Sequence, residues 1–259
     1  MNRIIRIYYV KRKKLLITVA LCIPIIFAAL LVLDLVRERT AGYVDPGTGI
    51  IVVDPGHGGV DGGTGAGGFL EKEINLSISK RLKEILEEKG YKVVLTRSVD
   101  ESLENLGPEG GGRHYRDLAA RAEIINSSDA QLFLSIHVNS NVNNPRACGS
   151  IVYYSARFTQ SGVLADCIQN ALNGLEAGTF ERTAHAAQKA GFYLLNTSKI
   201  PGALIEAGFI TNPDERLLLT TDEFRDKLAA RIADGVAVYY DMMGLGKPEA
   251  AGKMQPKRK

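Results

Sequence analysis

The chain has 259 residues, of which 45% are hydrophobic and 24% are charged, a composition typical of a globular domain with short appendages. Its formal net charge of +3 is unevenly distributed, because six Lys or Arg residues lie in residues 1–14 and five lie in residues 244–259. The middle of the chain is therefore net acidic, which argues against a nucleic-acid partner for the folded domain.

An uncharged run of 19 residues, Leu15–Leu33, follows the basic N-terminal residues 1–14. As a helix this run would span roughly 28 Å, close to the hydrocarbon thickness of a bilayer. The positive charges before it predict that residues 1–14 are cytoplasmic and that the chain beyond Asp34 is outside. We interpret residues 15–33 as an uncleaved transmembrane anchor. The alternative is a cleaved signal segment, which would give a secreted protein.

Residues 34–49 form a predicted linker with Gly and Pro, and residues 50–243 then carry alternating strand and helix patterns. Strands are predicted at 50–53, 91–96, 132–136, 150–154 and 203–205, and helices from near Glu71 to Lys89 and at 114–126, 163–172 and 224–239. This alternation predicts a single α/β domain with a mostly parallel sheet and helices on both faces. Residues 244–259 are rich in Gly, Pro, Lys and Ala and are predicted to be disordered.

Ionisable side chains stand where three of the predicted strands end. His57 follows the first strand across a Pro-Gly turn, His137 ends the strand 132–136, and Glu206 ends the last strand. Ligands bind at the carboxyl ends of parallel strands, so we expect these side chains to converge on one cleft. Two imidazoles and a carboxylate are the protein ligands of a catalytic zinc site. The pattern therefore predicts a zinc hydrolase.

The pattern alone leaves the third ligand open. Glu71, in the first turn of a predicted helix, is close enough in sequence to His57 to supply it. Glu206 would then take a proton from the metal-bound water and deliver it to a leaving amine. Alternatively, Glu71 stabilises the helix N-terminus by its charge. Glu73 is another candidate ligand, although it points about 200° further round the helix.

Three further polar residues have open roles. Asn139 alternates with His137 along the strand, and either faces the same cleft as a substrate-binding residue or caps a turn. His114 and His185 lie in polar segments, and we interpret both as surface residues. The glycines of Gly63–Gly68 match a dinucleotide-binding pattern, but they do not directly follow a strand, which argues against nucleotide binding.

Five motifs occur in one order along residues 50–240. They are Asp54-Pro55-Gly56-His57-Gly58-Gly59, Glu71-Lys72-x-x-Asn75-Leu76, Leu95-Thr96-Arg97, Ser135-Ile136-His137-x-Asn139 and Glu206-x-Gly208-Phe209-x-x-Asn212. Together they resemble the zinc-dependent N-acetylmuramoyl-L-alanine amidases of the type 3 amidase family. Those enzymes cut the amide bond between muramic acid and the peptide stem of peptidoglycan.

The resemblance implies zinc on His57, Glu71 and His137, with Glu206 as the catalytic residue. It also implies a six-stranded sheet flanked by helices, and peptidoglycan outside the membrane as the substrate. Two alternatives share these residues: an inactive zinc-binding module that binds the wall or a partner, and a zinc peptidase that cuts within the stem.

A finer resemblance is to the spore-cortex, germination-specific branch of the family. It rests on Arg113-x-x-x-Asp117-Leu118-x-x-Arg121, on residues 173–182 and on Pro201-Gly202-Ala203-Leu204-Ile205-Glu206. The sequence does not identify an activating protein partner.

Overall fold

The apolar runs of the sequence form one six-stranded sheet in the computed structural model, which describes residues 49–245 and, before them, only Ile23. The described strands are β1 (Ile50–Pro55), β2 (Gly65–Ala66), β3 (Phe69–Leu70), β4 (Lys92–Leu95), β5 (Leu132–Asn139), β6 (Ile151–Tyr154), β7 (Gln188–Lys189) and β8 (Gly202–Phe209). The described helices are α1 (Glu71–Glu88), α2 (Arg113–Ser127), α3 (Thr159–Asn173), α4 (Tyr193–Thr197), α5 (Pro213–Leu219) and α6 (Asp222–Met242), with a 3₁₀ turn at Glu104–Leu106.

The sheet has the strand order β4-β1-β5-β8-β6-β7, and β2 and β3 form a separate hairpin. Strands β4, β1, β5 and β8 run parallel to one another. Strand β6 pairs with β8 in the antiparallel direction, and β7 follows β6. The predicted mostly parallel, six-stranded α/β domain is therefore confirmed. Strands β1, β5 and β8 lie in the middle of the sheet and place their C-terminal ends side by side.

Helices cover both faces of the sheet, because both faces of its central strands are apolar. On one face, α1, α3 and α6 bury their apolar stripes against side chains such as Val53, Leu134 and Ile205. On the other face, α2 and α4 cover a smaller cluster that contains Val52, Phe133 and Leu204. Alternate residues of a strand share a face. Asp54, Ser135 and Glu206 therefore belong to this second face, beyond the edge of its apolar cluster.

Two of the predicted strands were too short. Strand β5 continues through His137 to Asn139, and β8 continues through Glu206 to Phe209. The apolar pattern stops at the first charged side chain, whereas the backbone pairing goes on, with a shift of register between His137 and Asn139. The hairpin β2–β3, β7 and the short helices α4 and α5 were not predicted, since segments of two to seven residues carry little periodicity.

The N-terminal predictions fall largely outside the described residues. The structure describes one residue of the predicted anchor 15–33, one residue of the linker 34–49, and residues 244 and 245 of the predicted tail. Within the described part of the chain, none of the helices combines the length and the apolar character that a membrane span requires. From Gly49 onward, the described residues belong to one compact unit.

Candidate metal centre

His57 lies in the turn after β1 and has a left-handed backbone, with φ of 61°. This conformation is unusual for a residue with a side chain and has to be held by its surroundings. The Arg121 guanidinium donates to the His57 carbonyl oxygen at 2.7 Å. On the imidazole, Nδ1 is 2.9 Å from Asp61 Oδ2, and Nε2 is 3.3 Å from Glu71 Oε1. One ring nitrogen is thus oriented by a carboxylate, and the other faces Glu71.

Glu71 is the first residue of α1 and joins the two histidines. Its Oε1 lies 2.9 Å from His137 Nδ1 and accepts from the backbone N–H of Val138 at 3.1 Å. Its Oε2 accepts from the backbone N–H of Thr64 at 2.9 Å. One ligand atom from each of His57, Glu71 and His137 can be chosen so that all three lie within 4.8 Å of one another. The structure therefore brings these three predicted residues together.

Glycine at position 56 makes room for the second histidine. A Cβ atom at Gly56 would lie 2.3 Å from the His137 ring, a separation at which the ring would have to move. The His57 and His137 rings are perpendicular to each other, at an interplanar angle of 81° and a centroid separation of 5.1 Å. Gly63 has φ of 66°, and a Cβ atom there would lie 2.5 Å from Glu71 Oε2. These glycines are required by the close packing of the cluster.

Glu206 stands beside the cluster on β8, in register with His137 of the neighbouring strand. Its Oε2 is buried and has no hydrogen-bond partner among the described residues. Such an oxygen is costly unless something else binds there. Glu206 and the three clustered residues line one cavity of about 630 Å³. The predicted convergence of the strand-end residues is thus observed.

The surroundings of the site shift the pKa values of its two glutamates in opposite directions. Burial would lower the pKa of His57, but the hydrogen bonds and charges of Glu71 and Asp61 outweigh it and raise that pKa to about 9. For Glu71, burial is outweighed by His137 and His57, which hold the pKa of this carboxylate well below its usual range. Burial raises the pKa of Glu206 to about 7. The two carboxylates therefore sit in different environments: Glu71 is paired with two imidazoles, whereas Glu206 has a buried oxygen without a hydrogen-bond partner among the described residues.

The comparisons with known proteins agree with this geometry. A family profile described as N-acetylmuramoyl-L-alanine amidase matches residues 51–238. The chain belongs to the N-acetylmuramoyl-L-alanine amidase family. A germination-specific N-acetylmuramoyl-L-alanine amidase of Bacillus subtilis (strain 168) is 36% identical over 197 residues, which are 75% of this chain and 81% of the relative.

Solved structures of amidases share the fold. The CwlD amidase of Clostridioides difficile, determined in complex with the GerS lipoprotein, is 34% identical with a TM-score of 0.66. The match covers 74% of this chain and 98% of that one. An N-acetylmuramoyl-L-alanine amidase of Clostridium difficile 630 is 30% identical with a TM-score of 0.65, and the match covers 76% of this chain and 98% of that one.

A buried ion pair beneath the cluster supports the amidase site, and this role of its two residues was not predicted. Arg121 Nη1 donates to Asp54 Oδ1 at 2.7 Å, and both side chains are at most 2% exposed. Thr96 and Ser135 also donate to the Asp54 carboxylate, at 2.6 and 2.7 Å. Burial would raise the pKa of Asp54, but Arg121 and these hydroxyl groups together lower it. An acidic residue that ends a buried strand, opposite Thr and Ser, is the signal that was available in the sequence.

A second buried arginine completes the support of the turn that carries His57. Arg97 Nε donates to the Pro55 carbonyl oxygen at 2.9 Å, and its Nη2 donates to that of Gly56 at 3.0 Å. Arg121 Nη1 binds the same Pro55 oxygen at 2.8 Å. Backbone carbonyls that would otherwise be buried without partners are thus satisfied by charged donors. Arg97, which belongs to the motif Leu95-Thr96-Arg97, has this structural role in the amidase.

The remaining candidates from the sequence differ in their placement. Asn139 lines the cavity, as one of its two interpretations required. Glu73 is exposed and lies outside the cluster. His114, interpreted as a surface residue, is exposed, and it also lines the amidase cavity, with its Nδ1 3.9 Å from Asp61 Oδ2. His185 lies elsewhere, with its Nε2 2.9 Å from the Cys148 carbonyl oxygen. The position of His114 at the cavity was not predicted, because nothing in its local sequence shows that α2 begins there.

We predict that Asp54→Asn lowers the free energy of unfolding by about 3 kcal/mol at pH 7, because it leaves the Arg121 charge buried without its partner. Urea denaturation measures this. The folded-state pKa of Asp54 is lowered, so its contribution is complete above the unfolded-state pKa. The deficit of the variant is therefore constant from pH 7 to pH 5 and narrows only below about pH 4.

The control for this experiment is Asp222→Asn. Asp222 pairs with Arg81 at 2.6 Å, but its side chain is 79% exposed, so its loss is expected to change stability by less than about 0.5 kcal/mol. Equal effects of the two substitutions would contradict the role assigned to the buried pair.

Proposed function

We propose that the chain is a zinc-dependent N-acetylmuramoyl-L-alanine amidase that hydrolyses the bond between N-acetylmuramic acid and the L-alanine of the stem peptide. The observation that carries the proposal is the cluster of His57, Glu71 and His137, with Glu206 in register beside His137. Membership of the amidase family supports the reaction. Two imidazoles and one carboxylate fit zinc, which commonly takes three protein ligands in catalytic sites and leaves a further position for a small molecule.

We assign His57, Glu71 and His137 as the residues that would hold the metal. The contact of His57 with Asp61 supports this assignment. Asp61 binds Nδ1 of His57 and thereby leaves Nε2 facing Glu71. The unpaired Glu206 oxygen fits a group that acts on the reacting atoms. When bound, zinc polarises a carbonyl group and makes water a better nucleophile.

Glu206 would perform the proton transfers. In hydrolysis, the water oxygen adds to the amide carbonyl carbon, the C–N bond breaks, and the products are a carboxylate on muramic acid and a free amine on L-alanine. Glu206 would accept the proton lost by the water and deliver it to the departing nitrogen. Asn139, on the same strand as His137, would contact the substrate. An inactive module would have no need for a buried, unpaired carboxylate at this position.

We further propose that this amidase acts on the spore cortex from outside the membrane, held there by residues 15–33. The germination-specific relative supports the spore role, and the basic residues before an uncharged run support the anchor and its orientation. The Clostridioides difficile CwlD amidase was solved with the GerS lipoprotein. By analogy, we propose that an extracytoplasmic protein partner also binds this chain.

The metal assignment predicts one zinc ion per chain, which His57→Ala and His137→Ala should lose. Metal analysis of the purified proteins measures this. Glu71→Ala should weaken zinc binding, whereas Glu73→Ala, which removes an exposed carboxylate two residues away, should not. Full zinc occupancy in either histidine variant would refute the ligand set. Weaker zinc binding in Glu73→Ala but not in Glu71→Ala would make Glu73 the third ligand.

The catalytic assignment predicts that Glu206→Gln keeps zinc and the thermal midpoint but loses cleavage by at least about a hundredfold, the size of a typical general acid–base contribution. Gln has nearly the same shape as Glu, so a packing defect should not produce the loss. Glu73→Gln serves as the control. Cleavage within a few-fold of the original chain would make Glu206 structural, and loss of zinc would make it a ligand.

The anchor predicts that the full-length protein stays with membranes through a high-salt wash. Salt screens the basic residues 1–14, whereas apolar burial of residues 15–33 is insensitive to it. Protease added from outside should digest the catalytic domain. A variant with the Lys and Arg residues of 1–14 changed to Gln should remain membrane-bound. A soluble mature protein that begins after residue 33 would instead establish a cleaved signal.

A further inference from the structure

Three aromatic residues, Tyr115, Phe192 and Tyr193, form what we call the aromatic rim of the cavity. Phe192 and Tyr193 line the same cavity as Glu206 and the cluster of His57, Glu71 and His137. Tyr115 packs against Tyr193. Phe192 is 41% exposed and Tyr115 is 47% exposed. Adjacent exposed aromatic rings at the edge of a cavity are a common feature of ligand-binding surfaces. The reaction proposed above uses none of these residues.

The rim is built with fixed ring orientations. Tyr193 meets Tyr115 edge-to-face, with ring centroids 6.1 Å apart and an interplanar angle of 85°. Phe192 meets Tyr153 of β6 at 5.3 Å and an interplanar angle of 69°. Beneath the rim, the buried Leu194 anchors the short helix α4 to the sheet. Rings held in this way offer their exposed surface to a ligand at little further entropic cost.

The rim lies near the reacting end of the cavity. Tyr153, which supports Phe192, is opposite Leu204 in the β6–β8 ladder. Leu204 and Glu206 are two residues apart on β8 and therefore share a face, and both line the cavity. A group that rests on Phe192 would thus sit close to the proton-transfer residue.

The chemistry of the rim distinguishes the two halves of the substrate. Residues 191–194, together with Leu118 and Leu204, contribute no charged side chain to the cavity lining. Among the described residues of that lining, the one Arg or Lys is Arg121, which is buried and paired with Asp54 and Asp117. A stem peptide carries free carboxylates, and a surface that binds them would be expected to contain Arg or Lys side chains. An amide-linked muramic acid has no free carboxylate, and the C–H faces of its sugar ring suit aromatic surfaces.

We propose that the aromatic rim binds the sugar rings of the glycan strand at the muramic acid whose amide is cut. This inference rests on the proposed function, because it assigns one side of the same cavity to the glycan. It makes Phe192 and Tyr193 specificity-determining residues. The stem peptide would then leave the reacting centre on the side away from the rim.

Two soluble substrates with the same dipeptide stem test this: one carries a single muramic acid, and the other carries four sugars. Phe192→Ala and Tyr193→Ala should raise KM for the four-sugar substrate about three- to tenfold, in line with the strength of aromatic contacts. The kcat should stay within about twofold, and KM for the one-sugar substrate should change less. As the control, Leu217→Ala changes an exposed residue outside the cavity lining and should match the original chain.

Calorimetric binding of a peptide-free, four-sugar glycan provides a measurement that is independent of cleavage. We expect binding to the full-length chain that Phe192→Ala weakens at least threefold, with zinc content and thermal midpoint unchanged. Cleavage without rim-dependent glycan binding, or a KM effect that follows the length of the peptide, would overturn the assignment of the rim. Rim-dependent glycan binding in a chain that cleaves neither substrate would instead refute the proposed reaction and leave the rim assignment standing.

Discussion

The buried ion pair of Asp54 and Arg121 is the constraint on which the site depends. Asp54 is the penultimate residue of β1, and Arg121 reaches it from α2 at 2.7 Å. The same guanidinium binds the carbonyl oxygens of Pro55 and His57. The turn is thereby held in a conformation with a left-handed histidine, and the imidazole is directed towards Glu71. A buried charge pair contributes little net stability by itself, but here it fixes the geometry of a functional turn.

The turn determines how closely the other groups can approach. Because position 56 has no side chain, the His137 ring packs directly against the backbone, and Glu71 reaches both histidines from the start of α1. Glu206 comes from the next strand, and its Oε2 has no hydrogen-bond partner in the described part of the chain. One carboxylate is thus held by two imidazoles, while the other is free for the proton transfer that we propose for it. This division of roles between two carboxylates is what a hydrolytic site requires.

Much of this arrangement could be predicted from the sequence, because three strand-end residues converge whenever their strands are parallel neighbours. His57, His137 and Glu206 were identified in that way, and the motif resemblance selected Glu71 over Glu73. The roles of Asp54, Arg97 and Arg121 were not predicted, since they depend on contacts across as many as 67 sequence positions. The aromatic rim was not predicted, for a related reason. Helix α4, which begins at Tyr193, is only five residues long, and the rings of the rim are placed by tertiary packing rather than by periodicity.

The most direct test of the account is mass analysis of purified peptidoglycan digested by the full-length protein, with and without a metal chelator. A zinc-dependent amidase should produce glycan strands with free muramic-acid carboxyl groups and peptides that begin with a free L-alanine amine. Chelator should abolish both products, and added zinc should restore them. Fragments cut within the stem peptide would make the protein a peptidase, and the same products in the presence of chelator would contradict the metal-dependent mechanism.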